Sequence, residues 1–355
     1  MANDRPMDDT ERAELRAYLA DLGADPDRID HADAQGLLGP LAVEIAVGAS
    51  GGMAFADSVA AAGADPASAA RLWRALGFPD PEVAPPLLQP DEDRALSMLA
   101  SVGTELLGLD TTLTLARLIG ATTSRLADAL VDAFRTEVEV PGRTAGTPHP
   151  DMVRSYVQLI QVSLPQLQEM LGACLRRHLV AAAAATWTVD EDNATARRDL
   201  VVGFVDLVGW TPLSRSVPAG RLAQLVQRFE QHLADAASPY DVRVVKLLGD
   251  GAMVVCDSAD PACAFALRLV AAVAADEELP PVRVGLAAGQ VLAIRGDHHG
   301  AVVNLAARLC AAAPAGGVLA DDEVRARAGR SRFGPPSAAE LRGFSAPVSA
   351  AVVLA

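Results

Sequence analysis

The two halves of the chain carry different hydrophobic periods. From about Asp9 to Arg135, apolar residues recur at three- and four-residue intervals, as in Leu15, Tyr18, Leu19 and Leu22, which places them on one helix face. Thr10, Ser58, Asp65 and Ser124 stand near the starts of such patterns, where a short polar side chain accepts from the free N–H groups of a first turn. Two punctuated stretches, the Pro-rich residues 78–91 and residues 141–150 with Gly142, Gly146 and Pro148, are expected to divide this half into subdomains. After Asp151 a long amphipathic helix is expected through Tyr156, Leu159, Leu167, Leu171 and Leu175 into the alanine tract at 181–185. Residues 1–185 therefore read as an all-helical domain.

The polar stretch TWTVDEDNATARR, residues 186–198, lacks helical periodicity and reads as a linker. From Asp199 the pattern changes. Runs rich in β-branched residues (LVVGFVDLV, VRVVKLL, AMVVC and VRVGLAAGQVLAI) alternate with helical stretches over 222–237, 261–275 and 302–313. Gly249-Asp250-Gly251 between two of the runs is a hairpin signal. The order β-α-β-β-α-β predicts a ferredoxin-like sheet with helices on one face, so the chain as a whole is α+β, with its second domain over 199–355.

Composition narrows the partners. The formal net charge is −15 over 355 residues, which repels nucleic acid and anionic lipid at long range. Cys174, Cys256, Cys263 and Cys310 show no CxxC spacing and sit among apolar residues, as buried thiols of a reducing compartment do. Neither a signal pattern nor an uninterrupted apolar run long enough to span a bilayer is apparent, so the expected location is cytoplasmic, with no membrane partner.

Six positions carry candidate chemistry. Asp206 closes the first apolar run of the second half in GFVDLVGWT, where a carboxylate at a sheet edge beside a helix start serves as a metal ligand or as a cap. Asp250 lies in the hairpin turn, and antiparallel pairing of its strand beside the first would bring it to Asp206. Two carboxylates so placed suit a pair of divalent ions and phosphoryl chemistry, although GDG is also a preferred turn in its own right. Lys246 is the only lysine in a chain that otherwise uses arginine, and its survival in an apolar strand suggests a compact ammonium donating to one acceptor. In RGDHHGAVVNLAARL, Asn304 and Arg308 are spaced i, i+4 and face the same way on a helix, while Asp297 precedes that helix as an acceptor or a cap.

In order, these pieces resemble the class III adenylate and guanylate cyclase catalytic domain. FVDLVGWT resembles its first metal motif, KLLGDG its lysine and second metal motif, GDHHGAVVNLAARL its purine and transition-state motif, and ELRGFSAPVSAAVV its closing strand pair. The resemblance implies that Asp206 and Asp250, with the Leu207 carbonyl, hold two Mg²⁺ or Mn²⁺ ions. It implies that Lys246 and Asp297 read adenine, that Asn304 orients the ribose, and that Arg308 stabilises charge on the α-phosphate. ATP rather than GTP follows from polarity, since Lys donates to N1 and Asp accepts from the 6-amino group. A homodimer with two shared sites is implied, metal and lysine residues from one subunit and Asn and Arg from the other. Two features depart from the family pattern. His298 and His299 replace aromatic residues after the purine Asp, and Arg342 stands where many relatives have Lys, keeping a positive charge for the triphosphate. Both histidines read as solvated loop positions, or as groups making purine binding pH-dependent.

The first half more loosely resembles the helical, pH-sensing regulatory half of certain bacterial cyclases, with His31, His149 and His178 as its titratable candidates. Two other readings compete. Residues 53–78 resemble a MerR-like helix-turn-helix, a DNA-binding regulator, but only Arg71 and Arg74 would offer charge to DNA. A catalytically silent, cyclase-like scaffold is the other, although all six side chains expected for catalysis are present.

Overall fold

The computed structural model describes residues 7–48, 52–187, 197–294 and 296–355, and the chain forms two compact units, Met1–Thr188 and Val189–Ala355. In the first unit, α1 (Asp9–Asp21), α2 (Pro26–Ala34) and α3 (Leu38–Ala46) pack with the start of α10 (His149–Trp187) around Leu15, Leu19, Leu38 and Val157. A second cluster, around Phe55, Leu72, Trp73 and Leu113, joins α4 (Phe55–Ala61), α5 (Pro66–Ala75), α6 (Pro90–Met98) and α8 (Leu109–Phe134), with the single-turn α7 (Thr104–Leu107) leading into α8. Among the described residues the unit is helical apart from one two-residue ladder, β1 (Met53–Ala54) against β2 (Leu87–Leu88).

Caps and breaks differ in detail from the sequence reading. Asp8, not Thr10, caps α1, through a capping box with Glu11, and Asp65 caps α5 as expected. Ser58 lies inside α4 and donates to Asp93, and Ser124 lies inside the uninterrupted α8, because neither is preceded by a residue that breaks the helix. The expected break at 141–150 is narrower. A π-helical turn (Arg135–Glu139) carries the chain on into α9 (Val140–Thr144), where Pro141 falls in a first turn whose N–H needs no partner; the chain turns only at Gly146, φ +79°. Of the expected linker, residues 188–196 lie outside the described residues, while Thr186 and Trp187 end α10 and Arg197 and Arg198 open the next strand.

The second unit begins with β3 (Arg197–Leu207) and continues through α11 (Trp210–Ser216), α12 (Ala219–Ala237), β4 (Arg243–Leu247), β5 (Gly251–Cys256), α13 (Ala259–Ala274) and β6 (Val282–Ile294). These strands lie in the order β6-β3-β5-β4, every neighbouring pair antiparallel, which is the ferredoxin-like β-α-β-β-α-β arrangement. Later elements extend the sheet: β7 (Asp297–His299) pairs with β6, and after α14 (Ala301–Ala312) come β8 (Val318–Asp321), α15 (Asp322–Arg327), β9 (Arg332–Phe333), β10 (Ser337–Ala339) and β11 (Val348–Leu354).

Strand alternation divides the sheet into two unequal faces. Val201, Val205, Val254, Val284 and Leu286 pack under α12 and α13, sealed by Phe229 (1% exposed) and Phe265 (0%). Each such phenyl ring contributes roughly 1.5–3 kcal/mol of burial. Leu200, Val202, Met253, Val255 and Ala287 point the other way, where α14 covers them through Ala306 and Leu309. The two core helices thus share one face as expected, and α14 lies on the other, where the candidate site is built.

Candidate active site

Asp206 is the penultimate residue of β3, opposite Gly251 of β5 on one side and Arg283 of β6 on the other. It therefore lies within the sheet, hydrogen-bonded on both flanks, rather than at the edge expected from the sequence. The hairpin that carries Asp250 closes against it: Leu207 N–H donates to the Asp250 carbonyl at 3.0 Å. Two glycines allow this approach. Gly249 takes φ +78°, and a Cβ on Gly251 would stand 2.4 Å from the Val205 carbonyl oxygen. Asp206 and Asp250 consequently line one cavity of about 210 Å³, together with Leu248, Arg283, Ala307 and Cys310.

The donor chemistry of that cavity suits a hard cation. Mg²⁺ is held by one or two carboxylates plus substrate phosphates rather than by an all-protein cage. This fits a site with two carboxylates, and no group of three acidic, His or Cys ligands occurs among the described residues. Burial, reinforced by the Asp206 charge, pushes the Cys310 thiol up to about 12. Arg283 binds the Asp206 carboxylate directly, with Nε and Nη2 at 2.8 and 2.5 Å from Oδ2.

Lys246 reaches the same face of the sheet because β4 is irregular. Val244 opposes Val254, yet Lys246 opposes Met253, so Val245 is an extra residue forming a β-bulge. Strict alternation would send Lys246 to the side of Val244, under α12 and α13. The bulge turns it to the α14 side, where its Nζ lies 2.5 Å from Asp297 Oδ2. Asp297 also accepts from the His298 N–H at 2.8 Å. Partial burial pushes its carboxyl up, but the hydrogen bonds from Lys246 and His298 prevail and hold it below the ordinary carboxylate range.

His298 is not a solvated loop residue: it is 3% exposed. Arg243 Nη2 lies 3.4 Å from its Nε2, and because a guanidinium only donates, Nε2 accepts and the proton sits on Nδ1, which has no hydrogen-bond partner. Burial, and then the Arg243 charge, lower its pKa below the ordinary 6.5, so the ring is neutral at physiological pH. His299 remains exposed.

Helix α14 presents Asn304 and Arg308 on its exposed side, and neither side chain has a hydrogen-bond or ion-pair partner among the described residues. The opposite side of α14 is seated very closely on β6, where a Cβ on Gly285 would come within 2.1 Å of Cys310 N. Arg342 lies exposed in the loop between β10 and β11. The structure thus brings together Asp206 with Asp250, and Lys246 with Asp297, whereas Asn304, Arg308 and Arg342 face outward. Sequence reasoning missed Arg283 and Arg243. The available signal for Arg283 was a charge inside the otherwise apolar run VRVGLAAG, aligned with Asp206 only once β3 and β6 are paired.

The antiparallel ferredoxin-like sheet and its paired carboxylates fall within residues 193–342, which match the family profile described as the adenylate and guanylate cyclase catalytic domain. An adenylate cyclase of Streptomyces coelicolor is 38% identical over 273 residues, 76% of this chain and 70% of the relative. A protein named pH-sensitive adenylate cyclase from Mycobacterium tuberculosis is 29% identical over 318 residues, 89% of this chain and 79% of its own length. The crystal structure of the adenylyl cyclase CyaB from P. aeruginosa is 25% identical, covers 45% of this chain and 96% of its own, and superposes with a TM-score of 0.39. The chain belongs to the class III adenylate and guanylate cyclase family.

For the first unit, the helix-turn-helix reading gains nothing from its surface. The inner side of α5 is buried through Leu72 and Trp73, and Arg74 is paired with Asp80 at 2.7 Å. His31, His149 and His178 are all exposed, and Gln35 lies 3.1 Å from the His31 ring. No helix among the described residues is long and apolar enough to cross a membrane.

Proposed function

We propose that the protein is an adenylate cyclase that converts ATP to 3′,5′-cyclic AMP and pyrophosphate at two sites shared across a homodimer. The observation that carries this reading is the single cavity lined by Asp206 and Asp250, on the sheet face that also holds the Lys246–Asp297 pair. Asp206 and Asp250, with the Leu207 carbonyl, hold two Mg²⁺ or Mn²⁺ ions, which when bound neutralise phosphate charge and acidify the attacking 3′-hydroxyl. Lys246 donates to adenine N1 and Asp297, kept ionised, accepts from the 6-amino group, while guanine presents the opposite polarity to both. Arg342 contributes charge to the triphosphate.

Asn304 and Arg308 are exposed on α14 and have no hydrogen-bond or ion-pair partner among the described residues, which suits residues that complete the site of a second copy. Asn304 orients the ribose, and Arg308 stabilises the α-phosphate as the 3′-oxygen attacks and pyrophosphate leaves. The test is direct. Purified protein with ATP and Mn²⁺ should form cyclic AMP, and neither Asp250→Ala nor Arg308→Ala alone should do so. Mixed in equal amounts, the two variants should recover about a quarter of wild-type activity, since half the dimers would then hold one intact site of two. A silent scaffold gives no product in any arm, and a site contained within one chain gives no recovery on mixing.

The helical unit acts on that activity as a regulator. Supporting this, the alignment with the relative named pH-sensitive adenylate cyclase extends over 89% of the chain and so includes helical residues as well as the cyclase domain. Comparing the rate and pH profile of the full chain with those of residues 197–355 tests it, and identical profiles would refute it.

A further inference from the structure

Helix α10 carries a stripe that its own unit uses only at the start. Val153 and Val157 lie in the core formed with α1, α2 and α3. The stripe then continues as Ile160, Leu164, Leu167, Leu171, Cys174 and His178, in alternating steps of three and four residues, to Ala181. Over residues 158–183 no position of the helix is buried, and Leu171 is 42% exposed. An apolar stripe laid on a globular core follows 3.6 residues per turn. A strict heptad drifts from that line by about 20° per heptad, or about 80° between positions 153 and 181. Such a repeat keeps facing one neighbour only where helices wind around each other.

A stripe of this period fits a helix of the same period, and α10 of a second copy supplies one, each position meeting its own counterpart. With Leu164 and Leu171 as a positions, Leu167 and Cys174 fall at d, and Pro165 falls at b, outside the seam. In a parallel pair the flanking g-to-e contacts are Ser163 with Gln168 of the partner subunit and Met170 with Leu175 of the partner subunit, so no like charges meet. Met170 and Leu175, each 61% exposed, would be covered. Direction follows from connectivity: each α10 leads through residues 188–196 to β3 of its own cyclase domain, and an antiparallel seam over 164–181 would part the two exits by about 25 Å.

We propose that α10 pairs with α10 of a second copy as a parallel two-stranded coiled coil over residues 164–181, a dimer interface of the helical unit separate from the shared cyclase sites. The choice of a parallel pair rests on the homodimer of the cyclase reading. His178, a polar side chain at an a position, fixes the register, as such residues do at a cost in stability.

The unaltered full-length protein carries its own probe. Cys174 is exposed, against the expectation from its apolar neighbours, while Cys256, Cys263 and Cys310 are buried. In a parallel seam the two Cys174 thiols face each other within the Cα span of a disulfide, roughly 4.4–6.8 Å. Diamide, which takes up the two hydrogens as the disulfide forms, should therefore give a covalent dimer on a non-reducing gel, and Cys174→Ser should give none. In the Cys174→Ser background, Leu171→Cys at a should restore the link, and Arg176→Cys at f, on the outer side, should form it at least about tenfold more slowly. Equal rates for Leu171→Cys and Arg176→Cys overturn the proposal, because random encounter produces them. No link at Cys174 in protein that forms cyclic AMP overturns the coiled coil and leaves the enzyme reading standing. A fast link in protein that forms no cyclic AMP supports the coiled coil and removes the enzyme reading.

Discussion

Gly285→Ala is the substitution whose consequences the structure defines most sharply. A methyl group at this position of β6 would lie 2.1 Å from Cys310 N, 2.4 Å from the Ala306 carbonyl oxygen and 2.7 Å from Cys310 Cα. All three are backbone atoms of α14, so no rotamer change relieves the clash. To restore ordinary contact at about 3.4 Å, α14 must withdraw from the sheet by about 1.3 Å. Overpacking of this kind costs about 1–3 kcal/mol, or about 2–12 °C in Tm for a domain of this size. The larger effect falls on activity. Asn304 and Arg308 move with the helix, and misplacing catalytic groups by about 1 Å costs on the order of 100-fold in rate. Cyclic AMP formation at saturating Mn²⁺ and ATP, measured beside a thermal melt, should show kcat lowered about 100-fold in a protein that is still folded at 25 °C. Activity within twofold of wild type at an unchanged Tm would refute the argument that α14 is seated on Gly285 and that its position sets the rate.

Other outcomes follow from single residues. Lys246→Met removes a charge-assisted hydrogen bond worth about 1.5–3 kcal/mol, so kcat/KM for ATP should fall about 10- to 150-fold and preference over GTP should shrink; unchanged preference would remove Lys246 from purine reading. Phe265→Ala, at a fully buried position, should cost about 3–5 kcal/mol in denaturant titration, and a loss below 1 kcal/mol would contradict the packing under α13. His298 has a folded pKa below the ordinary 6.5, so acid binds more protons to the unfolded chain than to the folded one. Its contribution to stability is full above about pH 6.5 and declines as pH falls below that, until the lower folded pKa is passed. His298→Phe should therefore flatten part of the fall in Tm between about pH 7 and 5.5, and an identical slope in both proteins would refute the neutral assignment. Asp297 acts with the same sign at lower pH: its carboxyl is held below the ordinary 3.8, so its contribution to stability is full above that value and is lost as pH falls through the folded pKa. Asp297→Asn should flatten the acid end of a Tm-against-pH curve, an identical curve refuting the pairing with Lys246.

Much of this protein was legible in its residue pattern, because the relevant interactions are local. The three- and four-residue spacing marked helices whatever they pack against. The alternation of VVGFV and AMVVC marked strands, and GDG marked the turn that delivers Asp250. The α+β class and the core strand-helix order followed from those signals alone. Tertiary structure decided what depends on register. Lys246 stands on the side of Asp297 only because one extra residue, Val245, bulges out of β4, and a shift of one residue exchanges the two faces of a strand. Arg283 meets Asp206 only because β3 and β6 pair with those residues opposite, 77 positions apart in the chain. His298 is buried and neutral because the pairing of β7 with β6 carries it out of solvent, and no neighbour in sequence announces that. Which residues stand at a strand end is a matter of local propensity, whereas which of them face one another depends on pairing energies summed over the whole sheet, and a single chain read in order does not contain that sum.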